Sequence, residues 1–548
     1  MHSRDPEKSN EEFQNEFEAV LKRATREGVF ADFTRFVFPG ANYRGRAMEV
    51  MCSFNEAIFT RYADFGRVKF AKDANFVGVT FSQEADFGLA MFAQNADFSS
   101  ATFTGSANFT SAMFAESSDF SEATFTNGAD FSWATFRKDA DFSGVGFVLA
   151  NFSVATFTQN TYFSNSTFAR DASFRGATFR QDAYLYRAAF AQGADFIGAT
   201  FAQDANFVGS TFAQDTEFSE AAFLRDANFN EATFASVANF EDARFLGAAE
   251  FRKTGFRRDE RLAPGPVFSL AEFSRPEVVV FYKTYLGQAV FLNCDVSKFT
   301  FSFVEWRKRQ GGGKRMVFEE VVDLEAAPDL RSSEDSLDER NYGLVAELYQ
   351  QLKKNYDERK DYWTAGDFHY GEMEMKRLSS PQRKKIPRWL HRNLGLAALY
   401  KCVSEYGESY VRPFIWLLVV LAIFTLLFPL AGLSSGGKAP RSLVTIATGG
   451  ETLQSVVTVA TQPAPPAAAE LSYWHFSDFA GAYSGMWKGR AAFFGHSLMT
   501  TLYVAGFQKD LAFEPSYPWG RLLALAEVLL TSTLFALFLL AIRRQFRR

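Results

Sequence analysis

Histidine and cysteine are scarce in this chain, with five histidines and three cysteines in 548 residues. Cys52, Cys294 and Cys402 lie far apart, which speaks against a disulfide framework and against a CxxC metal site. The histidines are equally scattered. No nucleophile–base pair, metal-ligand spacing or phosphate loop is legible, so the chain reads as a non-enzyme with no cofactor and no bound metal. The one formal match to a phosphate loop, Gly432 to Lys438, fails because Ala439 stands where Ser or Thr is needed. Positive charge is in slight deficit, with a formal net charge of −5, which argues against a general nucleic-acid binder. Met1 to Gly28 is highly charged and lacks the apolar core of a secretory signal, so the start of the chain is expected in the cytoplasm.

What the chain has in excess is phenylalanine, 64 residues. From Phe54 the ring recurs alternately every five and six residues, at Phe59, Phe65, Phe70, Phe76 and onward to Phe251 and Phe256. Leu185 is the one substitution, and the rhythm slips once, running five-five-five from Phe142 to Phe157. Self-similarity this strict means a stacked repeat, because each unit can bury its aromatic only against a neighbouring copy. Two positions before a Phe stands Ala, Val or Ser, and one before stands Asp, Asn or Thr; in–out–in over three residues is strand periodicity. The residues after each Phe, rich in Gly, Ser, Asn and Asp, suit a turn. A short strand, a corner and another short strand, repeated, predict a β-solenoid.

The unit Ala96-Asp97-Phe98-Ser99-Ser100-Ala101-Thr102-Phe103-Thr104-Gly105-Ser106 and its copies resemble the Phe-centred variety of the pentapeptide-repeat family. The resemblance implies a right-handed quadrilateral β-helix with four short faces and about 22 residues per coil, so that residues 31–256 would form about ten coils and a rod ~50 Å long. A weaker beat comes first (Phe33, Phe38, Tyr43, Met48), and Phe291, Val296, Phe301 and Trp306 mark a degenerate last coil after an interruption at Arg257–Gln288, giving a repeat domain of 31–310. Solenoid ends need covering. Phe13, Phe17, Val20 and Leu21 at helical spacing predict an amphipathic cap within residues 1–30, with a partner-binding helix as the other reading. Between Lys72 and Arg137 there is no Lys or Arg, whereas Asp73, Glu84, Asp86, Asp97, Glu116, Asp119, Glu122 and Asp130 are present. Some members of the family are acidic rods that imitate duplex DNA and bind topoisomerases. The plainer reading is an Asp at a motif position facing solvent, and nucleic acid itself is not an expected partner.

Residues 311–340 read as an acidic linker, and 341–411 as a helical hairpin followed by a basic juxtamembrane segment. Leu344, Leu348, Leu352 and Tyr356 form one stripe spaced by four, continued by Tyr362, Ala365, Phe368, His369 and Met373. This string is similar to a helical hairpin that sits between repeat domain and membrane in the same family. His369 and Glu372 share a face but no third ligand joins them, so a metal site is not expected. Lys376, Arg377, Arg383, Lys384, Lys385 and Arg388 then lead towards an apolar run, the signature of a segment held near anionic membrane lipid.

Residues 412–548 read as a membrane domain. It has spans at 414–433 and 521–542, and the second apolar run, from Leu522, is broken only by Glu527. Basic clusters before the first span and after the second put both ends inside, so a multi-pass protein of the cell inner membrane with both termini cytoplasmic is expected. The loop 434–490 would lie outside. Residues 492–503 have half-membrane length and lead into a turn at 504–508. Span, loop, half-helix, glycine-containing turn, span: this order resembles the two-transmembrane pore module of potassium-channel-like proteins. The resemblance implies a homotetramer passing monovalent cations, with Thr500, Thr501, Val504, Ala505, Gly506, Phe507 and Gln508 as the pore- and filter-like residues. A potassium filter reads Thr-Val-Gly-Tyr-Gly-Asp; here Val504 takes the place of Thr, Phe507 that of Tyr and Gln508 that of the second Gly, so potassium selectivity does not follow. The intramembrane acid Glu527 reads either as a support behind the pore helix or as an ion-coordinating or pH-sensing group. The expected function is a cation channel with a cytoplasmic sensor or assembly domain for an unidentified protein. The alternative is a non-conducting, membrane-anchored scaffold.

Overall fold

The computed structural model describes residues 10–258, 263–310, 313–321, 342–379, 393–434, 470–507 and 514–546. The chain divides into two compact units, Met1–Ser379 and Ser380–Arg548.

Residues 31–302 of the first unit form a parallel β-solenoid of about 12 turns. Most strands are two residues long, because the small residue and the Phe must both point inward and the next corner follows at once. Each face repeats 22 residues on: Ala96 pairs with Ser118, Thr102 with Thr124, Ala107 with Ala129 and Met113 with Thr135. The rings inside obey aromatic geometry in two directions. Along the axis Phe76 stacks on Phe98 at 4.7 Å and Phe98 on Phe120 at 4.9 Å, with planes within 1°. Across the core Phe87 meets Phe98 edge-on at 5.4 Å and 86°. The motif Asp serves the backbone. Asp97, Asp119 and Asp141 accept the N–H of Ser99, Ser121 and Ser143 at 2.9, 2.8 and 2.8 Å, closing the corner after each Phe.

Two departures from the beat have distinct structural outcomes. At the five-five-five slip the strands Thr124–Asp130 and Gly146–Asn151 continue through the corner between two faces, with a register shift between Phe125 and Gly128, while the rings keep their angle, Phe147 meeting Phe152 at 89°. The stretch read as an interruption, Arg257–Gln288, corrects the sequence reading. It contains three rings, Phe268, Phe273 and Phe281, stacked at 5.0, 4.7 and 4.8 Å on Phe240, Phe245 and Phe251. Insertions lengthen the corners there, one of them holding the 3₁₀ turn Pro276–Val278, so the spacing is lost while the stacking persists.

Both ends of the solenoid are covered. Helix α1, Asn10–Glu27, lays Phe17 on the first coil, 4.6 Å from Phe33 and 4.5 Å from Tyr43. At the far end pack α2, Tyr342–Glu358, and α3, Tyr362–Leu378. Asn355 donates to the carbonyls of Val296 and Phe299 at 3.0 and 2.7 Å, and Arg359 donates to Phe299 at 2.7 Å, which satisfies the open edge of the last coil. Glu372 is held by Lys353 at 3.1 Å and Lys376 at 2.6 Å.

In the second unit, Val411–Leu430 (20 residues) and Pro518–Arg544 (27 residues) are helices long and apolar enough to cross a membrane. At 1.5 Å per residue they measure about 30 and 40 Å. They pack on each other, with Phe414 5.8 Å from Phe538. Their ends opposite the loop are clasped by Arg544, which donates to the Tyr406 carbonyl at 3.2 Å and pairs with Glu408 at 3.1 Å.

Candidate functional site

Beyond the first apolar helix the chain turns at Gly432, where φ is 60° and a Cβ would lie 2.6 Å from Glu470 Oε1. Leu433–Ser434 then forms the central strand of a three-stranded antiparallel sheet. One neighbour is Glu470–Leu471, which leads through the short helix Phe476–Ala482 into the helix Met486–Ala505. The other neighbour is Glu514–Pro515, which leads into the second apolar helix. The excursion from 471 to 514 therefore leaves and returns at one strand.

The helix Met486–Ala505 is 20 residues long, longer than the 492–503 segment expected from the sequence, and small hydroxyl residues fasten it to the first apolar helix. Ser497 donates to the Thr425 carbonyl at 2.5 Å, and Thr425 donates to Thr501 Oγ1 at 3.4 Å. At the approach, Tyr483 OH lies 2.9 Å from His496 Nε2, and Phe479 and Phe493 pack at 5.6 Å. From Ser497 to Ala505 the helix continues about two turns, roughly 12 Å. Val504 joins the cluster of Phe424, Phe428, Leu433 and Leu471, against which Leu523, Ala524 and Val528 of the second apolar helix also pack.

The residues read as pore- and filter-like are distributed as follows. Thr500 and Thr501 are buried, and their hydroxyls donate to the carbonyls of His496 and Ser497 at 2.9 and 3.1 Å. Val504 and Ala505 are helical, and the Val504 carbonyl accepts from Phe507 N–H at 3.1 Å. Gly506 closes the helix with φ −83° and ψ 6°, while Phe507, 66% exposed, is the left-handed residue with φ 56°. Gln508 lies outside the described residues. Glu527 is fully buried on the second apolar helix, with no hydrogen-bond partner for either carboxylate oxygen among the described residues.

Sequence reasoning missed Ser497 and Thr425, since a hydroxyl in an apolar helix reads as neutral spacing until its partner helix is known. It also missed the three-stranded sheet, whose strands are two residues each and far apart in the chain. Among the described residues no group of acidic, His and Cys side chains is arranged to hold a metal.

No curated protein and no solved structure matches the chain. Residues 54–102, 98–146, 109–156, 149–188 and 174–222 match the family model for pentapeptide repeats (9 copies). Residues 54–222 of the solenoid therefore consist of pentapeptide repeats, and the solenoid is followed in the chain by two helices long and apolar enough to cross a membrane.

Proposed function

We propose that the chain is the subunit of a cation channel, its second unit embedded in the cell inner membrane and its solenoid a cytoplasmic sensor or assembly domain. The observation that carries this reading is the shared strand Leu433–Ser434, which holds the start and the finish of the 471–514 excursion on one side of the two apolar helices. A segment that enters and leaves a bilayer on one side brings non-helical backbone to depth, and this is tolerated only where protein packs it or water fills a cavity beside it. In a single chain one flank of the inserted helix is bare, with Leu498, Met499 and Leu502 all more than 40% exposed. A ring of copies, a homotetramer by likeness to two-span pores, covers that flank and gathers the turn after Ala505 round an axis, where carbonyls replace the water of monovalent cations. The basic residues beside both spans fit a cytoplasmic, lipid-facing side.

The test is cation flux into liposomes reconstituted with wild type or with Gly506→Trp. Flux in wild type that the substitution abolishes is the expected result. A folded oligomer without flux, or flux indifferent to the substitution, rejects the channel. A non-conducting anchored scaffold is the second reading. It is favoured by the Thr500 and Thr501 hydroxyls and the Val504 carbonyl, all of which are satisfied within the helix and its cap. In that case the solenoid is the whole functional surface.

A further inference from the structure

The helix Leu396–Ser404, joined to the first apolar helix by the turn 405–410, carries an apolar side outward. Leu396 and Leu399, three residues apart and so neighbours on the helix surface, are 87% and 58% exposed, and Leu394 just before them is 71% exposed. An exposed apolar side of this kind marks a surface that something other than water covers. Protein covers the adjoining side. There the Tyr400 ring meets Tyr406 edge-on at 5.6 Å and 78°, and the buried Ser404 hydroxyl accepts from Gly407 N–H at 3.0 Å. The turn fixes how the helix is presented. Glu405, Tyr406 and Gly407 are all left-handed, with φ of 50°, 62° and 81°, and a Cβ on Gly407 would lie 2.8 Å from the Tyr400 hydroxyl. Arg544, near the end of the second apolar helix, donates to the Tyr406 carbonyl at 3.2 Å and pairs with Glu408 at 3.1 Å. The helix Leu396–Ser404 packs on both apolar helices and is held level with the start of the first and the end of the second. A bilayer crossed by both helices ends at that level.

We propose that Leu394, Leu396 and Leu399 dock this helix on the anionic lipid surface at the cytoplasmic end of the two apolar helices. The inference rests on the membrane placement of the second unit. At that level an apolar side meets the boundary of headgroups and acyl chains, where an amphipathic helix lies with its apolar side down. Charge selects the lipid. Between Glu374 and Glu405 there is no Asp or Glu, whereas Arg383, Lys384, Lys385, Arg388 and Arg392 all fall there. Arg392 stands two residues before Leu394, about 7 Å of extended chain, so the cations reach the surface that the leucines enter. A second copy would set one cationic run against another. The Arg544 clasp ties the anchored helix to the end of the second span, so that lipid and both spans meet at one joint.

Spin labels in the full-length protein test this. Cys402→Ser removes the exposed thiol, Cys52 and Cys294 are buried, and one nitroxide is attached at Leu396→Cys, Leu399→Cys or Leu418→Cys. All three positions are exposed, so the labels leave the packing intact. In nanodiscs of phosphatidylcholine and phosphatidylglycerol, power saturation compares collision with oxygen, which concentrates in lipid, and with an aqueous nickel chelate. Labels at 396 and 399 are expected to favour oxygen several-fold, at a shallower depth than the label at 418 within the first span. In phosphatidylcholine alone their nickel access is expected to rise several-fold. Labels at 396 and 399 open to nickel, with 418 sealed in lipid, overturn the proposal and leave the membrane placement standing; 418 open to nickel overturns both. Labels closed to both reagents also overturn it and assign the leucines to protein. That protein is a second copy if dilution with unlabelled protein narrows the spectrum, and the solenoid of the same chain if it does not. Equal profiles in the two bilayers overturn the assignment to anionic lipid.

Discussion

Glu319 is 4% exposed beneath the last coil, one oxygen accepting from Phe291 N–H at 2.6 Å and the other without a partner among the described residues. Burial pushes its carboxyl up to about 7 from 4.5, against the opposing pull of the Phe291 amide. The folded state therefore holds a proton across that window which the unfolded chain has released. Stability of the first unit falls as pH rises from 4.5 to about 7, by about 3 kcal/mol in all. Glu319→Gln is expected to flatten that slope in thermal melts at pH 5 and pH 8, and an unchanged slope would refute the assignment. Gly371 makes a second single-residue prediction. A Cβ there would lie 2.4 Å from the ring of Tyr349, which is fully buried with its hydroxyl accepting from Val317 N–H at 3.1 Å. Gly371→Ala should therefore loosen the α2–α3 hairpin by about 1–3 kcal/mol, read as earlier unfolding of that hairpin. Neither residue stands out in the sequence, where Glu319 opens an acidic stretch that reads as solvated linker. A charge announces burial only through what surrounds it.

At the scale of elements, the solenoid is held by columns of rings, and its ends by side chains that complete hydrogen bonds. Phe98 is buried in contact with rings above, below and across. Phe98→Ala should cost about 3–5 kcal/mol, measured as a drop in chemical stability of the repeat unit. Asn355→Ala should remove one donor each from the Val296 and Phe299 carbonyls, which keep the Phe299 N–H and Arg359, and cost about 1 kcal/mol, with hydrogen exchange accelerating in the last coil rather than the first. The columns were legible because a strict period of five and six admits one stacking. The end caps were only half legible. The apolar stripe of α2 can be read as a buried face, but Asn355 and Arg359 become donors to the solenoid only once the helix is laid on it.

At the scale of the whole molecule, the two apolar helices and the strand Leu433–Ser434 make a prediction about sidedness. Cys52 and Cys294 are buried and Cys402 is exposed, so the native chain carries one thiol open to labelling among its three cysteines. In sealed vesicles a membrane-impermeant maleimide should reach Cys402 from one side and Ser516→Cys from the other; labelling from the same side would defeat the two-span arrangement. The amino-acid sequence alone determined the solenoid, its register and the two apolar lengths, because those depend on periodicity and composition, which are properties of order along the chain. It could not determine that 257–288 keeps its rings in stack, that the α2–α3 hairpin closes the last coil, or that residues 471 and 514 meet at one strand. Those depend on which distant groups complete one another's hydrogen bonds and packing, and only the folded chain brings them into contact.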